Sequence, residues 1–276
     1  HANAANRTPG GDTGRFVYGG GREMKAFLKK EWMEWSRTGR LLILLLVFAL
    51  FGIMNPALAK LTPWLMETMS DSLSDTGLVV TKTTVDAMDS WIQFYKNIPM
   101  ALTVFVLICS GGFTLEYEKG TLIPVVTKGL SRRKIVASKA LFLFGFWTVF
   151  YFLCAGITYG YNAYFWDKRV AENLIFAMAC TWLFGVWVIA LLVFFSVAAK
   201  NSPQVLLGTG GAATGVYLLG MFPKLAPVLP AKLMEGLPLL QGGTGREDYY
   251  ASMAAAGGLS ILCMVLAMVC FDWKRL

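Results

Sequence analysis

The sequence predicts an all-α membrane protein with six transmembrane helices, an N-terminal amphipathic interfacial helix and both termini in the cytoplasm. The first observation is composition: 56% of the 276 residues are hydrophobic and the mean hydropathy is +0.55, against about 45–50% apolar residues in soluble proteins. The second is a set of six long apolar runs, and the third is an uneven distribution of lysine and arginine between the polar segments that separate them.

The first 23 residues differ in kind from the rest of the chain. They are rich in glycine and asparagine and have no apolar periodicity. We interpret residues 1–23 as a disordered tail or a linker left by cloning, with Met24 as the candidate native start. The remaining residues, 24–276, are predicted to form a single transmembrane domain.

Residues 24–40 are predicted to form a helix that lies on the membrane surface. At about 100° per residue, the apolar side chains fall on one face of that helix, and they are Met24, Phe27, Leu28, Trp32 and Trp35. Lysines fall elsewhere, and tryptophans beside lysines suit the headgroup boundary. The alternative is that this segment only extends the first span into the cytoplasm. Gly39 allows a hinge between the surface helix and that span.

The six apolar runs have the length and composition of membrane-spanning helices, which need about 20 apolar residues. They are residues 41–59, 98–115, 140–161, 174–199, 205–222 and 251–271. The run 205–222 is the weakest, because its five glycines lower helix propensity. None of the runs alternates apolar and polar residues as a membrane β-barrel requires.

The polar segments between the runs predict the orientation of the protein. Segments 22–40, 116–139, 200–204 and 272–276 contain 15 Lys and Arg, whereas the longer segments 60–97, 162–173 and 223–250 contain 8. The first group is therefore predicted to face the cytoplasm of a bacterial cell, with the protein as a multi-pass component of its plasma membrane. The net charge of +8 is then directed at anionic lipid headgroups. Nucleic acid is not a predicted partner, because no soluble domain is large enough to bind it.

Several kinds of chemistry are missing from the sequence. The only histidine is His1, which argues against histidine-based acid–base catalysis and histidine metal sites. No Walker A pattern is present, and residues 141–161, 174–199, 205–222 and 251–271 contain no acidic or basic residue. A proton- or sodium-coupled carrier normally keeps a polar or ionisable site near mid-membrane. We therefore predict no catalytic, cofactor or metal residues, and an energy source on another chain.

The polar segment after the second run, residues 116–139, is the strongest indication of what drives the protein. It begins with an acidic pair and Lys-Gly-Thr, continues with apolar residues outside any span, and ends with a basic cluster. The candidate residues are Glu116, Glu118, Lys119, Gly120, Thr121, Leu122, Ile123, Val125, Arg132 and Arg133. Apolar side chains on a short helix outside the membrane favour a partner surface. The alternative is an ordinary positively charged inner loop, in which the carboxylates neutralise nearby lysines.

This order of residues resembles the permease subunits of type-2 ABC exporters. The resemblance is carried by the acidic pair, Lys-Gly-Thr, the short apolar stretch, and Ser131-Arg132 with Lys139 at the third span, and it extends over residues 24–276. It implies that residues 120–130 are a coupling helix that docks in a groove of a separate ATPase, supported by the acidic pair and by Arg132 and Arg133. The sequence departs from the family in having Gly129-Leu130 where a proline often precedes Ser-Arg.

The resemblance also implies partners and a cargo. It implies two copies of an ATP-binding cassette ATPase, which bind ATP and Mg²⁺, and a second permease subunit, identical or different. The second and fifth spans would line the path, and an uncharged path favours an amphipathic cargo that is peptide-, drug- or lipid-like. Two alternatives stay open: a membrane sensor, immunity or assembly subunit that transports nothing, and an ATP-independent carrier.

Overall fold

The computed structural model describes residues 28–73, 86–112, 114, 131–166 and 173–273, and every regular element in these ranges is helical. The elements are α1 (28–37), α2 (Arg40–Leu73), α3 (Ala87–Cys109), α4 (Arg132–Phe165), α5 (Leu174–Ala198), α6 (Ser202–Leu219), a 3₁₀ helix (Pro230–Met234), α7 (Leu237–Leu240) and α8 (Glu247–Trp273). The prediction of an all-α protein is confirmed.

Five of the described helices are long and apolar enough to cross a membrane. They are α2 over Arg40–Trp64, α3, α4, α5 and α8. Helix α6 is not among them, because its 18 residues include four glycines and begin with the polar turn Ser202-Pro203-Gln204. The sixth crossing therefore stays a prediction.

The long helices pack in two groups. Helices α2, α3 and α4 contact one another, α5 packs on α6 and most extensively on α8, and α4 joins the two groups through its contacts with α5 and α8. Successive long helices run in opposite directions, which gives the bundle two ends. We call the end that holds Arg40, Arg132 and Trp273 the basic end, and the end that holds Ala87 and Phe165 the opposite end.

Aromatic rings fill the interior of the first group and its contact with α5. Phe48 of α2 lies with its ring centroid 5.7 Å from that of Phe150 and 6.1 Å from that of Trp147. Trp147 reaches α5, where its indole N–H donates to the carbonyl of Trp182 at 3.1 Å. A Cβ at Gly185 would lie 2.1 Å from the Trp147 ring. A glycine is required there so that α4 and α5 approach closely, as small residues allow in membrane helices.

Helix α3 begins at Ala87, well before the predicted start at residue 98. Asp86 Oδ1 accepts from the backbone N–H of Met88 at 2.8 Å, and Asp89 Oδ2 accepts from the N–H of Asp86 at 3.1 Å. This reciprocal capping fixes the helix start within the segment predicted as a loop. Similarly, α2 runs on to Leu73 as one continuous helix beyond the predicted end at residue 59.

Helix α6 connects the two ends of the bundle. It begins at the basic end, where the Oγ1 of Thr114 and the Oγ of Ser202 lie 2.8 Å apart. The chain that follows it lies at the opposite end, where the Tyr249 hydroxyl donates to the carbonyl of Glu235 at 2.7 Å. At about 1.5 Å per residue, the 18 residues of α6 extend over about 27 Å, slightly less than the hydrocarbon of a bilayer, which is about 30 Å thick.

The segment between α6 and α8 is built from short turns. Its backbone groups bond locally, as in the N–H of Ala226 to the carbonyl of Phe222 at 3.0 Å and the N–H of Leu229 to that of Leu225 at 3.2 Å. Several exposed side chains on these turns are apolar, among them Met221, Phe222 and Val228. Local satisfaction of the backbone makes such a segment compatible with the edge of a membrane.

Candidate functional site

Most of the predicted coupling residues lie outside the described part of the chain. This holds for Glu116, Glu118, Lys119, Gly120, Thr121, Leu122, Ile123 and Val125, and for Phe27 of the predicted surface helix. Arg132, Arg133, Leu28, Trp32 and Trp35 are described. The structure therefore gives the surroundings of the segment 115–130, which we call the coupling segment, at both of its ends.

The contacts at these two ends form a cluster at the basic end of the bundle, which we call the collar. The collar consists of Glu31, Gly112, Thr114, Arg132, Arg133, Lys139, Ser202 and Asp272. On the side where the coupling segment begins, buried Thr114 bonds the first residue of α6 through the Ser202 hydroxyl. The start of the coupling segment is thus linked to a helix of the other group.

On the side where the coupling segment ends, Arg132 and Arg133 bind the last turn of α8. Arg132 Nη1 donates to the backbone carbonyls of Phe271 at 3.3 Å and Asp272 at 3.2 Å. Arg133 Nε lies 2.7 Å from Asp272 Oδ2, in a pair whose side chains are 70% and 30% exposed.

The chemistry of helix ends explains this arrangement. Arg132 and Arg133 lie in the first turn of α4, where a positive charge is unfavourable beside the helix dipole. The last carbonyls of α8 lack intrahelical donors and carry partial negative charge, so a guanidinium compensates them. The sequence predicted that the two arginines support the coupling segment. The partner that the structure gives them, α8, was not predicted.

A buried ion pair links α1 to the same region. Lys139 Nζ lies 3.2 Å from Glu31 Oε1, and each of the two side chains is 5% exposed. The same ammonium donates to the carbonyl of Gly112 at 2.9 Å, just beyond the end of α3. Among the described residues, Glu31 and Lys139 are the buried charged side chains. They hold α1, the chain after α3 and the start of α4 together.

Helix α1 packs on protein through part of its predicted apolar face. Trp35 is 3% exposed, and its ring centroid lies 5.5 Å from that of Phe142 and 5.3 Å from that of Phe146. Trp32, by contrast, is 54% exposed. Glu31 lies four residues before Trp35 and therefore on the same helix face. The sequence analysis missed Glu31, although a carboxylate in register with Trp35 and a lysine at the head of an apolar run were visible signals.

A second polar cluster lies inside the bundle, between α2, α3 and α4. It consists of Asn55, Asn97 and Thr158, which we call the polar triad. Asn97 Nδ2 donates to Asn55 Oδ1 at 2.8 Å, and Asn55 Nδ2 donates to Thr158 Oγ1 at 3.0 Å. All three side chains are buried. The sequence analysis treated the spans as free of strongly polar sites and missed this cluster.

Proline chemistry explains the remaining contact of the polar triad. Pro56 has no N–H, so the carbonyl of Gly52, four residues earlier, loses its helical donor. The Thr158 hydroxyl donates to that carbonyl at 3.1 Å. Gly52 also permits the close approach of α4, because a Cβ there would lie 3.0 Å from the Cβ of Ile157. The polar triad therefore compensates for a proline and joins three helices.

A cleft separates α3 from α6, with α5 as its floor. Its volume is about 370 Å³. The lining is mostly apolar and includes Leu102, Val106, Phe184, Val188, Thr209 and Gly210. Helices α3 and α6 correspond to the second and fifth predicted spans, so the two spans expected to line a path face a common space.

Comparisons with known proteins cover nearly all of these elements. A protein-family model described as "ABC-2 family transporter protein" matches residues 26–253. The "uncharacterized transmembrane protein YxlG" of Bacillus subtilis (strain 168) is 24% identical over 264 residues, which span 91% of this chain and 96% of that protein. No solved structure matches the chain. The matched range contains the coupling segment and, except for Asp272, the whole collar.

Proposed function

Because the chain belongs to the ABC-2 transporter family, we propose that it is the permease subunit of an ATP-driven exporter and that a separate ATPase docks on the coupling segment. The observation that carries this proposal is the collar. Its contacts join the two ends of one short segment to α1, α6 and α8. A displacement of that segment therefore acts on helices of both groups at once.

The basic end of the bundle faces the cytoplasm in this proposal. Lys29, Arg37, Arg40, Arg133 and Lys134 all lie there, as the bias of lysine and arginine toward the cytoplasm requires. Helix α6 crosses the membrane as the fifth of six spans, and both termini are cytoplasmic. The geometry of α6 supports this, since its two ends lie at the two ends of the bundle. One of its four glycines packs against a neighbour, because a Cβ at Gly208 would lie 2.4 Å from the Phe195 ring.

Closure of two ATPase subunits on ATP would press on the coupling segment and shift α3 and α4, whose ends it joins. The polar triad links these two helices to α2, so the three move together. Their movement relative to α5, α6 and α8 changes the width of the cleft between α3 and α6. Discrete rearrangement of packed helices is a common form of such switching.

The cleft is the proposed part of the transport path in this subunit. Apolar side chains with a few hydroxyls, and no acidic or basic group in its lining, favour an amphipathic cargo over a small ion. A second permease subunit, identical or different, would complete the path. Cargo and copy number follow from the family and are part of the proposal.

Copurification with a candidate ATP-binding cassette ATPase from the same organism tests the proposal. Reversal of the acidic pair, Glu116→Lys with Glu118→Lys, and separately Gly120→Pro, are expected to reduce both complex formation and ATP turnover. The matched control is Glu247→Lys with Asp248→Lys, a pair of acidic residues that are exposed at the opposite end. Full complex formation and ATP turnover in the coupling-segment variants would contradict the proposal.

A further inference from the structure

The Glu31–Lys139 pair lies where three separate parts of the chain meet. An ammonium has three donors. Lys139 Nζ forms an ion pair with the Glu31 carboxylate of α1 at 3.2 Å and donates a hydrogen bond to the carbonyl of Gly112 at 2.9 Å. Gly112 lies just before the coupling segment, and Lys139 lies in α4 just after it. One side chain thus connects α1 to both ends of the segment on which the ATPase is proposed to act.

The burial of this pair separates it from other charges at the same end. Each side chain is 5% exposed, whereas Arg133 is 70% exposed in its pair with Asp272. Removal of two charges from water is costly, so a buried pair adds little net stability compared with apolar residues of the same size. Loss of one partner, however, leaves an uncompensated charge in a dry site. The pair therefore contributes little to the stability of the fold. Separation of its two charges, however, is strongly unfavourable.

Helix α1 also makes aromatic contacts, since the ring centroids of Trp32 and Trp35 lie 5.8 Å and 5.3 Å from that of Phe146. Trp35 packs on Phe142 and Phe146, but contacts between apolar rings tolerate small sliding movements better than a buried ion pair does. On the outward side, Lys29, Glu34 and Arg37 are exposed. The buried Glu31–Lys139 pair is therefore a restraint on the register of α1 relative to the coupling segment.

We propose that Glu31 and Lys139 are positioning residues that make α1 move as one body with both ends of the coupling segment, so that ATP-driven displacement reaches α1 without loss. This inference rests on the proposed function and extends it to a helix outside the coupling segment. Without the pair, the segment would still bind its ATPase, but part of its displacement would be taken up by sliding of α1.

The test compares single and double apolar variants in the complex with the ATPase. Glu31→Met and Lys139→Met each leave one buried charge and are expected to lower the yield of folded protein. The double variant Glu31→Met/Lys139→Met leaves none, and we expect wild-type yield and ATPase binding. Its transport per ATP hydrolysed is expected to fall about tenfold, within the usual range of coupling between sites. Wild-type transport per ATP in the double variant would overturn the proposal.

A matched control and a second measurement keep this result interpretable. Lys29→Met/Glu34→Met removes the same two charge types from exposed positions on the same helix and is expected to leave the ratio unchanged. Spin labels at Ser36 of α1 and Leu141 of α4, in a Cys270→Ser background because Cys270 is exposed, measure the register without any ATPase. A distance distribution as narrow in the double variant as in wild type would also overturn the proposal. Failure of the wild-type chain to bind the ATPase would instead overturn the proposed function.

Discussion

The collar and the polar triad are two polar clusters that differ in the kind of polar group they contain. The collar, at the basic end, uses full charges in both buried and exposed pairs. The polar triad, inside the bundle, uses neutral amides and a hydroxyl, and every contact joins members of one helix group. Desolvation of a charge costs much more than desolvation of an amide. Charge is therefore placed at the basic end of the bundle, and neutral hydrogen bonds hold the three helices of the first group together in the interior.

The same difference predicts which contacts change when the coupling segment is displaced and which contacts stay fixed. The polar triad holds α2, α3 and α4 as a unit, because Asn55 bonds both of the other helices. The collar contains the bonds from the ends of that unit to α1, α6 and α8. In the proposed mechanism, a displacement delivered at the basic end would rearrange the collar contacts to α6 and α8, while the Glu31–Lys139 pair and the triad stay intact. This separation generates predictions about each cluster.

The largest loss of stability is expected when one partner of the buried Glu31–Lys139 pair is removed. Glu31→Met leaves the Lys139 ammonium without its carboxylate in a site closed to water, which typically costs about 3–5 kcal/mol. Unfolding in mixed detergent micelles measures the loss. A cost below that of the exposed-pair variant Asp272→Asn would contradict the role assigned to burial.

The central member of the polar triad should come next. Asn55→Leu removes both bonds at once and leaves the Asn97 amide and the Thr158 hydroxyl with one partner fewer, for a cost of about 1–3 kcal/mol. Asn97→Leu removes one bond and should cost less. The same unfolding measurement ranks the two, and an equal or reversed order would show that Asn55 does not organise the cluster.

The contact that compensates for Pro56 is expected to contribute less to stability, but it can be tested more specifically. Thr158→Val leaves the Gly52 carbonyl without a donor and is expected to cost about 1 kcal/mol. In a Pro56→Ala background the N–H of residue 56 can bond that carbonyl, so the additional effect of Thr158→Val should shrink. A double-mutant cycle measures this difference, and strict additivity would refute the explanation.

The exposed pair of the collar should have the smallest effect. Asp272→Asn weakens the contact with Arg133, which is worth less than about 1 kcal/mol because both groups reach solvent. Added salt should remove most of the difference between variant and wild type, since an ionic strength near 1 M reduces the screening length to about 3 Å. A difference in stability that persists at high salt would contradict this, because it would show that the Arg133–Asp272 pair is shielded from solvent like the Glu31–Lys139 pair.

Local sequence patterns account for most of the fold. The run 174–199 matches α5 (Leu174–Ala198) closely, because its composition changes sharply at Asn173 and Lys200. The predicted start of the second run, residue 98, was wrong as the start of α3, because the polar residues before it lower the local hydropathy. Trp91, Phe94, Tyr95 and Ile98 nevertheless form one buried helical face, a periodicity that points to a helix regardless of mean hydropathy.

The sequence indicated some residues of the candidate site by their type, but it did not indicate which residues they contact. A basic cluster after a glycine break predicted Arg132 and Arg133 as functional, but their partners on α8 lie about 140 positions later in the chain. The Glu31–Lys139 pair and the polar triad likewise join residues far apart in sequence. Contacts of this kind depend on which helices become neighbours, and hydropathy and spacing do not encode that.

Position-specific cross-linking tests the central claim most directly. A photo-reactive residue is placed at position 122 in the coupling segment, and in a second variant at Tyr164, an 83% exposed residue of α4 near the opposite end. The account predicts a covalent product with the ATPase from position 122 and none from position 164. No product from position 122, or equal products from both positions, would contradict the assignment of the coupling segment and of the cytoplasmic side.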